Sequence, residues 1–185
     1  IYSNLKPTTG AALVNAGLAF SHAPSEKFAY VVGAGANNLT QPMESFQKRQ
    51  ATKDVGLGIR YTAQFGATLG LGDRLNIRPA VLYQSQASAT ELVAGAEFLY
   101  KLGDDIYVPL RPAVFIGGWV RYQDAAMITA GIEYNGFRIG GAYDVNTSGL
   151  KQGTNGYGGF EIMLQYTAPS PISFGKKLLY PCSRF

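Results

Sequence analysis

The chain holds one cysteine, Cys182, and one histidine, His22. A lone cysteine excludes an internal disulfide framework, and the two residues together cannot assemble a Cys/His metal site. A Ser-His-Asp triad would have to use His22, which stands near Pro24 with no nucleophile-elbow sequence around it. A solvated histidine at a strand rim is the simpler expectation. Charge is also scarce: Asp, Glu, Lys and Arg supply 15% of 185 residues, against roughly 25% in an ordinary soluble domain. The net charge of +4 is mild, and no basic run exceeds Lys176-Lys177. A nucleic-acid-binding arm and a polybasic membrane anchor are therefore not expected. No apolar run approaches the ~18–20 residues of a transmembrane helix; the longest, such as Ala113–Val120, are strand-sized. No signal peptide opens the sequence, since Ile1 leads directly into turn-like NLKPTTG, so an exported chain would be a processed or incompletely covered product. The glycines of VGAGANN and of both GLG segments form neither GxGxxG nor a P-loop, and they read as small residues that ease strand curvature.

What the chain has in abundance is glycine, 23 residues, and aromatic side chains: 12 Tyr, 10 Phe and a Trp. These sit in strict alternation. Ile128, Ala130, Ile132 and Tyr134 alternate with Thr129, Gly131, Glu133 and Asn135; after Asn135-Gly136 the pattern resumes with Phe137, Ile139, Gly141, Tyr143 and Val145. Period-two patterning predicts strands with one apolar and one polar face. Asn-Gly between two such runs is a strong hairpin signal, because a type I′ turn needs φ > 0 at both central residues. Nine strands are expected, over Ala11–His22, Phe28–Asn38, Lys53–Phe65, Arg74–Gln86, Thr90–Leu102, Ile106–Tyr122, Ala125–Asn135, Phe137–Asn146 and Tyr157–Thr167. Most are ~10–13 residues, close to the ~9–11 of a tilted membrane strand.

Ionic residues interrupt nearly every strand on one face, while the other face stays aromatic and aliphatic. That fits an all-β fold: an antiparallel up-and-down transmembrane β-barrel, with about nine strands here as part of a larger even-stranded barrel, its outside in lipid and its inside wet. Residues 1–167 would form the barrel and 168–185 a C-terminal tail. The carboxylates Glu97, Glu133, Asp144 and Glu161 face Arg60, Arg78, Lys101, Arg111 and Arg138 in one lumen. Such a set reads better as a charge-balanced plug network than as acid–base catalysis, because buried charges pair. Leu75–Val81 is echoed by Val108–Val114 around Arg78-Pro79 and Arg111-Pro112; the echo predicts bulges that aim an arginine inward at one rim, or two unrelated strand starts. Tight connections are expected at the end reached after odd-numbered strands, with Gly66–Asp73 the loose exception, and the long ones, Leu39–Thr52 and Thr147–Gly156, at the opposite end.

Three segments carry a resemblance. GAYDVNTSGL (141–150), GYGGFEIMLQYT (156–167) and a basic tail ending LYPCSRF (179–185), with NNLTQPMESF (37–46) upstream, resemble the PorP/SprF family, outer-membrane proteins of the type IX secretion system of Bacteroidetes. Ser183 stands where such tails carry proline. The resemblance implies a non-enzymatic accessory barrel, without cofactor or metal, that assists export or surface delivery of large adhesin-type cargo and serves gliding motility. Its implied partners are type IX secretion components, the cargo and the lipid bilayer, with no nucleic acid. It also implies loop contacts through Gln41, Pro42 and Phe46. The C-terminus would be periplasmic, where Phe174, Leu178, Leu179, Tyr180 and Phe185 give the tail apolar anchors for a partner or for the barrel mouth. Two other classes stay open: an outer-membrane channel or transporter for small or apolar solutes, and a soluble β-sandwich binding module whose aromatic face is covered by a second sheet.

Overall fold

The computed structural model describes residues 12–42, 56–103, 112–148 and 158–167. These residues form one antiparallel sheet of nine strands in simple sequence order. The strands are β1 (Ala16–Ser25), β2 (Phe28–Asn37), β3 (Arg60–Leu71), β4 (Leu75–Gln86), β5 (Ala89–Lys101), β6 (Ala113–Arg121), β7 (Ala125–Tyr134), β8 (Phe137–Asn146) and β9 (Phe160–Tyr166). There is no second sheet and no helix among the described residues. Nor does any pairing among them close β1 onto β9.

The register sorts the side chains onto two faces. One row runs Arg78–Glu97–Gly117–Thr129–Ala142–Glu161 through β4 to β9. The row beside it, of opposite parity, runs Ile77–Phe98–Ile116–Ala130–Gly141–Ile162. The faces differ in burial as well as chemistry. Val31, Val93, Leu99, Ala113 and Phe115 on the first face are buried, whereas Phe65, Ile116, Ile128, Ile132, Ile139, Ile162 and Leu164 on the second are exposed. A single sheet buries one face only by curling around it. The charged face is thus the inner, concave one, and the aromatic–aliphatic face looks outward, as the alternation predicts. A sandwich would have covered that outer face, and this sheet does not.

The outer face is also graded along the strands. Tyr100, Tyr134, Phe137 and Tyr166 lie near one end of the sheet, and Tyr61, Tyr83, Tyr122, Tyr143 and Phe160 near the other, with mostly Val, Ile, Leu and Ala, and the rings of Phe65 and Phe98, between them. At the first end Phe137 and Tyr166 pack with ring centroids 4.6 Å apart. Rings gathered toward both ends of a mainly aliphatic band are the pattern of the outer wall of a membrane barrel. His22 points outward as well, exposed and stacked on Phe20 at 6.2 Å and edge-on to Tyr30 at 6.0 Å, so it joins an aromatic patch rather than a polar rim.

Several strand boundaries differ from expectation. Strand β1 begins at Ala16, not Ala11. Strand β3 runs on to Leu71, so the segment expected to be a loose Gly66–Asp73 connection is mostly strand and closes in a tight turn at Gly72–Arg74, with Gly72 at φ 84°. Strand β6 is described over Ala113–Arg121, and its expected start at Ile106 lies outside the described residues; Leu102 N–H bonds Pro112 C=O at 2.7 Å. Pro79 makes no bulge: the ladder to β3 lapses opposite Arg78 and Pro79 and resumes in unchanged register. Pro112, in contrast, precedes its strand. The echoed segments therefore hold different positions, and Arg111 lies outside the described residues. A register shift does occur between His22 and Ser25, around Pro24.

Candidate functional site

The inner face carries its densest chemistry near the end of the sheet where β5 and β7 finish and β4, β6 and β8 start. It is built from glycine upward. Gly131 and Gly140 lie side by side on β7 and β8, and a Cβ on them would come within 2.5 Å and 2.7 Å of Cζ of Phe115. The missing side chains let the Phe115 ring lie down on the backbone. Above the ring stands the Arg138 guanidinium, 3.6 Å from its centroid, close enough for a cation–π contact. Leu99 and Ala113 pack beside Phe115 as a small buried cluster.

From Arg138 the contacts spread across the lumen. Its guanidinium bonds Glu133 through Nη1 and Glu97 through Nη2, with a further Nη1–Glu97 Oε1 contact at 3.3 Å. Arg78 Nη1 donates to Glu133 Oε1 at 3.0 Å and approaches Glu97 Oε1 at 3.5 Å. Two guanidinium groups and two carboxylates thus form one neutral cluster. The Glu97 side chain is 2% exposed. Two of these links, Arg78 to Glu133 and Arg138 to Glu97, skip from β4 to β7 and from β5 to β8. They tie together strands that share no ladder and hold the sheet in its curve. Desolvated charges are stable only when matched in this way.

Of the residues expected in the lumen network, this cluster gathers Arg78, Glu97, Glu133 and Arg138. Lys101 lies on the same face, two register rows from Leu99. Arg60, at the far end of β3, bonds Gln86 Oε1 at 3.0 Å. Asp144 accepts the Gly159 N–H. Glu161 sits exposed on the inner face of β9, beyond the reach of the cluster. A second ionic group was not anticipated: Arg121 reaches Glu91 at 3.0 Å through Nε and Asp124 at 3.0 Å through Nη1, at the opposite end of the sheet. Its signal was present, because Glu91 and Arg121 share the parity of Glu97 on their strands. Gln41 and Pro42 shape the connection after β2, where Gln41 N–H bonds Asn38 C=O and Pro42 C=O accepts Leu57 N–H, both at 2.9 Å. Phe46 and the tail residues Phe174, Leu178, Leu179, Tyr180 and Phe185 lie outside the described residues.

Between the two ionic groups and β1 the inner wall changes character. Gly17, Ala19, Gly33 and Gly35 floor a groove of about 430 Å³ edged by Thr62, Gln64, Leu82 and Gln84. No His/Cys/Asp/Glu group among the described residues is arranged to hold a metal ion.

Residues 2–166 match a family described as type IX secretion system membrane protein PorP/SprF. No curated protein and no solved structure matches the chain.

Proposed function

This chain belongs to the PorP/SprF family of type IX secretion system membrane proteins, and from that premise we propose that it is a non-enzymatic outer-membrane barrel that assists delivery of large adhesin-type proteins to the cell surface. The observation that supports this best is the division of one sheet into two solvents. Its outer face exposes Phe, Tyr, Ile, Leu and Val without an ionic group from β3 to β9, and only hydrocarbon suits such a wall. The inner face braces itself with the Arg78–Glu97–Glu133–Arg138 cluster instead of leaving a file of open charge. The barrel acts as a rigid platform: residues 1–167 form the wall, and residues 168–185 form a periplasmic tail that docks a type IX component or the barrel mouth through Phe174, Leu178, Leu179, Tyr180 and Phe185. Arg111 and Lys101 extend the lumenal charge set, and Gln41, Pro42 and Phe46 serve contacts at the opposite end.

The test separates platform from wall. A chain lacking Phe174–Phe185 is expected to reach the outer membrane and keep heat-modifiable gel migration, yet to lose protease-accessible cargo at the cell surface. Undiminished surface cargo would remove the docking role. Loss of membrane assembly would instead make the tail part of the wall.

A further inference from the structure

One position on the inner face runs against its polar character. Met163 is 41% exposed on the inner face of β9, the one large apolar side chain of the described strands left open on that side. Two positions before it on the same face stands Glu161, also exposed, whose carboxylate has no ion pair or hydrogen bond among the described residues. The neighbouring carboxylates are engaged: Glu97 and Glu133 by Arg138, and Asp144 by the Gly159 N–H. Beside Met163 and Glu161 the ladder places Gly140 and Ala142, so the β8 side of this strip carries no tall side chain. An open thioether two positions from an open carboxylate suits an occupant with an aromatic or aliphatic group two positions from a cation.

The chain itself carries such a segment close by. Thr167, whose N–H bonds Gly136 C=O at 2.8 Å, leaves β9 beside the β7–β8 turn. Residues 168–185 follow, with Lys176, Lys177 and Arg184 and without Asp or Glu. Phe174 and Lys176 repeat the spacing of Met163 and Glu161. Pro169 and Pro171 suit a reversal, because proline presets φ for a turn and cannot extend the β9 ladder. The lengths agree as well. Met163 and Glu161 lie four and six residues back from Thr167, and Phe174 and Lys176 lie three and five residues on from Pro171. At about 3.3 Å per residue the two sets match to within ~3 Å of strand length.

We infer that the tail turns back at Ala168–Pro171 and lies on the inner face of β9, with Phe174 against Met163 and Lys176 on the Glu161 carboxylate. The inference rests on the tail-docking reading above and names the barrel's own wall as the surface that receives the tail. A solvated ion pair adds little stability, so Glu161 fixes where the tail lies and not whether the sheet folds.

The test traps the tail in the full chain, refolded in phosphatidylcholine vesicles in a Cys182→Ser background. Met163→Cys is combined with Phe174→Cys, and Leu164→Cys with Phe174→Cys is the outward control. Disulfide formed within one chain is read as loss of thiol labelling in the monomer band. The inner pair is expected to trap at least ~5-fold more than the outward pair, since a disulfide needs its two Cβ atoms about 4 Å apart and Met163 and Leu164 face opposite sides. Adding Glu161→Lys should lower the inner yield about 3-fold, and Lys176→Glu with Lys177→Glu should restore it. Equal trapping by the two pairs, or none by either, would overturn the seat on β9. Disulfides formed only between chains would give the site to a second copy. An inner yield indifferent to Glu161→Lys would overturn the ionic contact. Where Met163→Cys lacks folded gel migration, Gln165→Cys on the same face takes its place with the same expectation. Failed trapping, with surface cargo still lost on deletion of Phe174–Phe185, would send the tail to a type IX component and leave the docking reading standing.

Discussion

Glu97 is the residue on which the inner face turns. Its carboxylate meets both Arg78 and Arg138, and its side chain is almost wholly removed from solvent. Removing one partner from a buried ionic group leaves the other charges uncompensated, which costs about 3–5 kcal/mol. Glu97→Gln is therefore expected to lower the denaturation midpoint of the folded protein by an amount corresponding to about 3 kcal/mol, read from urea-dependent gel migration. Glu161→Gln, exposed on the same face of β9, is the matched control and should move it by no more than about 0.5 kcal/mol. Equal effects would show that the cluster does not brace the sheet.

At the scale of the element, the β7–β8 hairpin shows how tightly local chemistry fixes the strands. Asn135 and Gly136 hold φ of 48° and 85°, the left-handed values of the predicted turn. A side chain at Gly136 would also meet the Thr167 carbonyl at 2.6 Å, next to the bond by which Thr167 N–H reaches Gly136 C=O at 2.8 Å. Gly136→Val is expected to cost about 1–3 kcal/mol through backbone strain and to loosen β9 as well as the turn. Gly118→Ala, where a Cβ would meet nothing, should be close to neutral; amide exchange along β9 separates the two outcomes.

Why the hairpin was readable and β3 was not follows from side-chain content. Phe137, Ile139, Tyr143 and Val145 give the period-two signal directly, and β8 has the expected bounds. Gly66-Ala67-Thr68 and Gly70 carry too little side chain to show alternation, so the end of β3 looked like a loop. Gly70 N–H nevertheless bonds Lys27 C=O at 2.7 Å, a contact only the fold reveals. The inner face itself was legible from parity alone. Which charges meet on it was not, since the Arg78–Glu133 contact depends on curvature accumulated over three strands. Phe115 was invisible as a site residue for a similar reason: its role comes from the bare backbone of Gly131 and Gly140 beneath it.

For the whole molecule, the cluster sets a prediction about passage. Charges of both signs, paired across the concave face, oppose an open ion-selective pore. The protein is expected to be silent in planar bilayers. The double variant Glu97→Ala, Arg138→Ala keeps the net charge and removes the brace, and it should produce discrete current steps at the same membrane potential. Steps from the unmodified protein would favour the channel reading over the platform reading. Silence from both proteins would place the closure elsewhere.

The simple up-and-down order has one more consequence. Strands β1 and β9 point the same way, so a seam made directly between them would need the slanted bonding of parallel neighbours. A ring that keeps every neighbour reversed has to insert an odd count of additional strands at that boundary, whichever chain or segment supplies them.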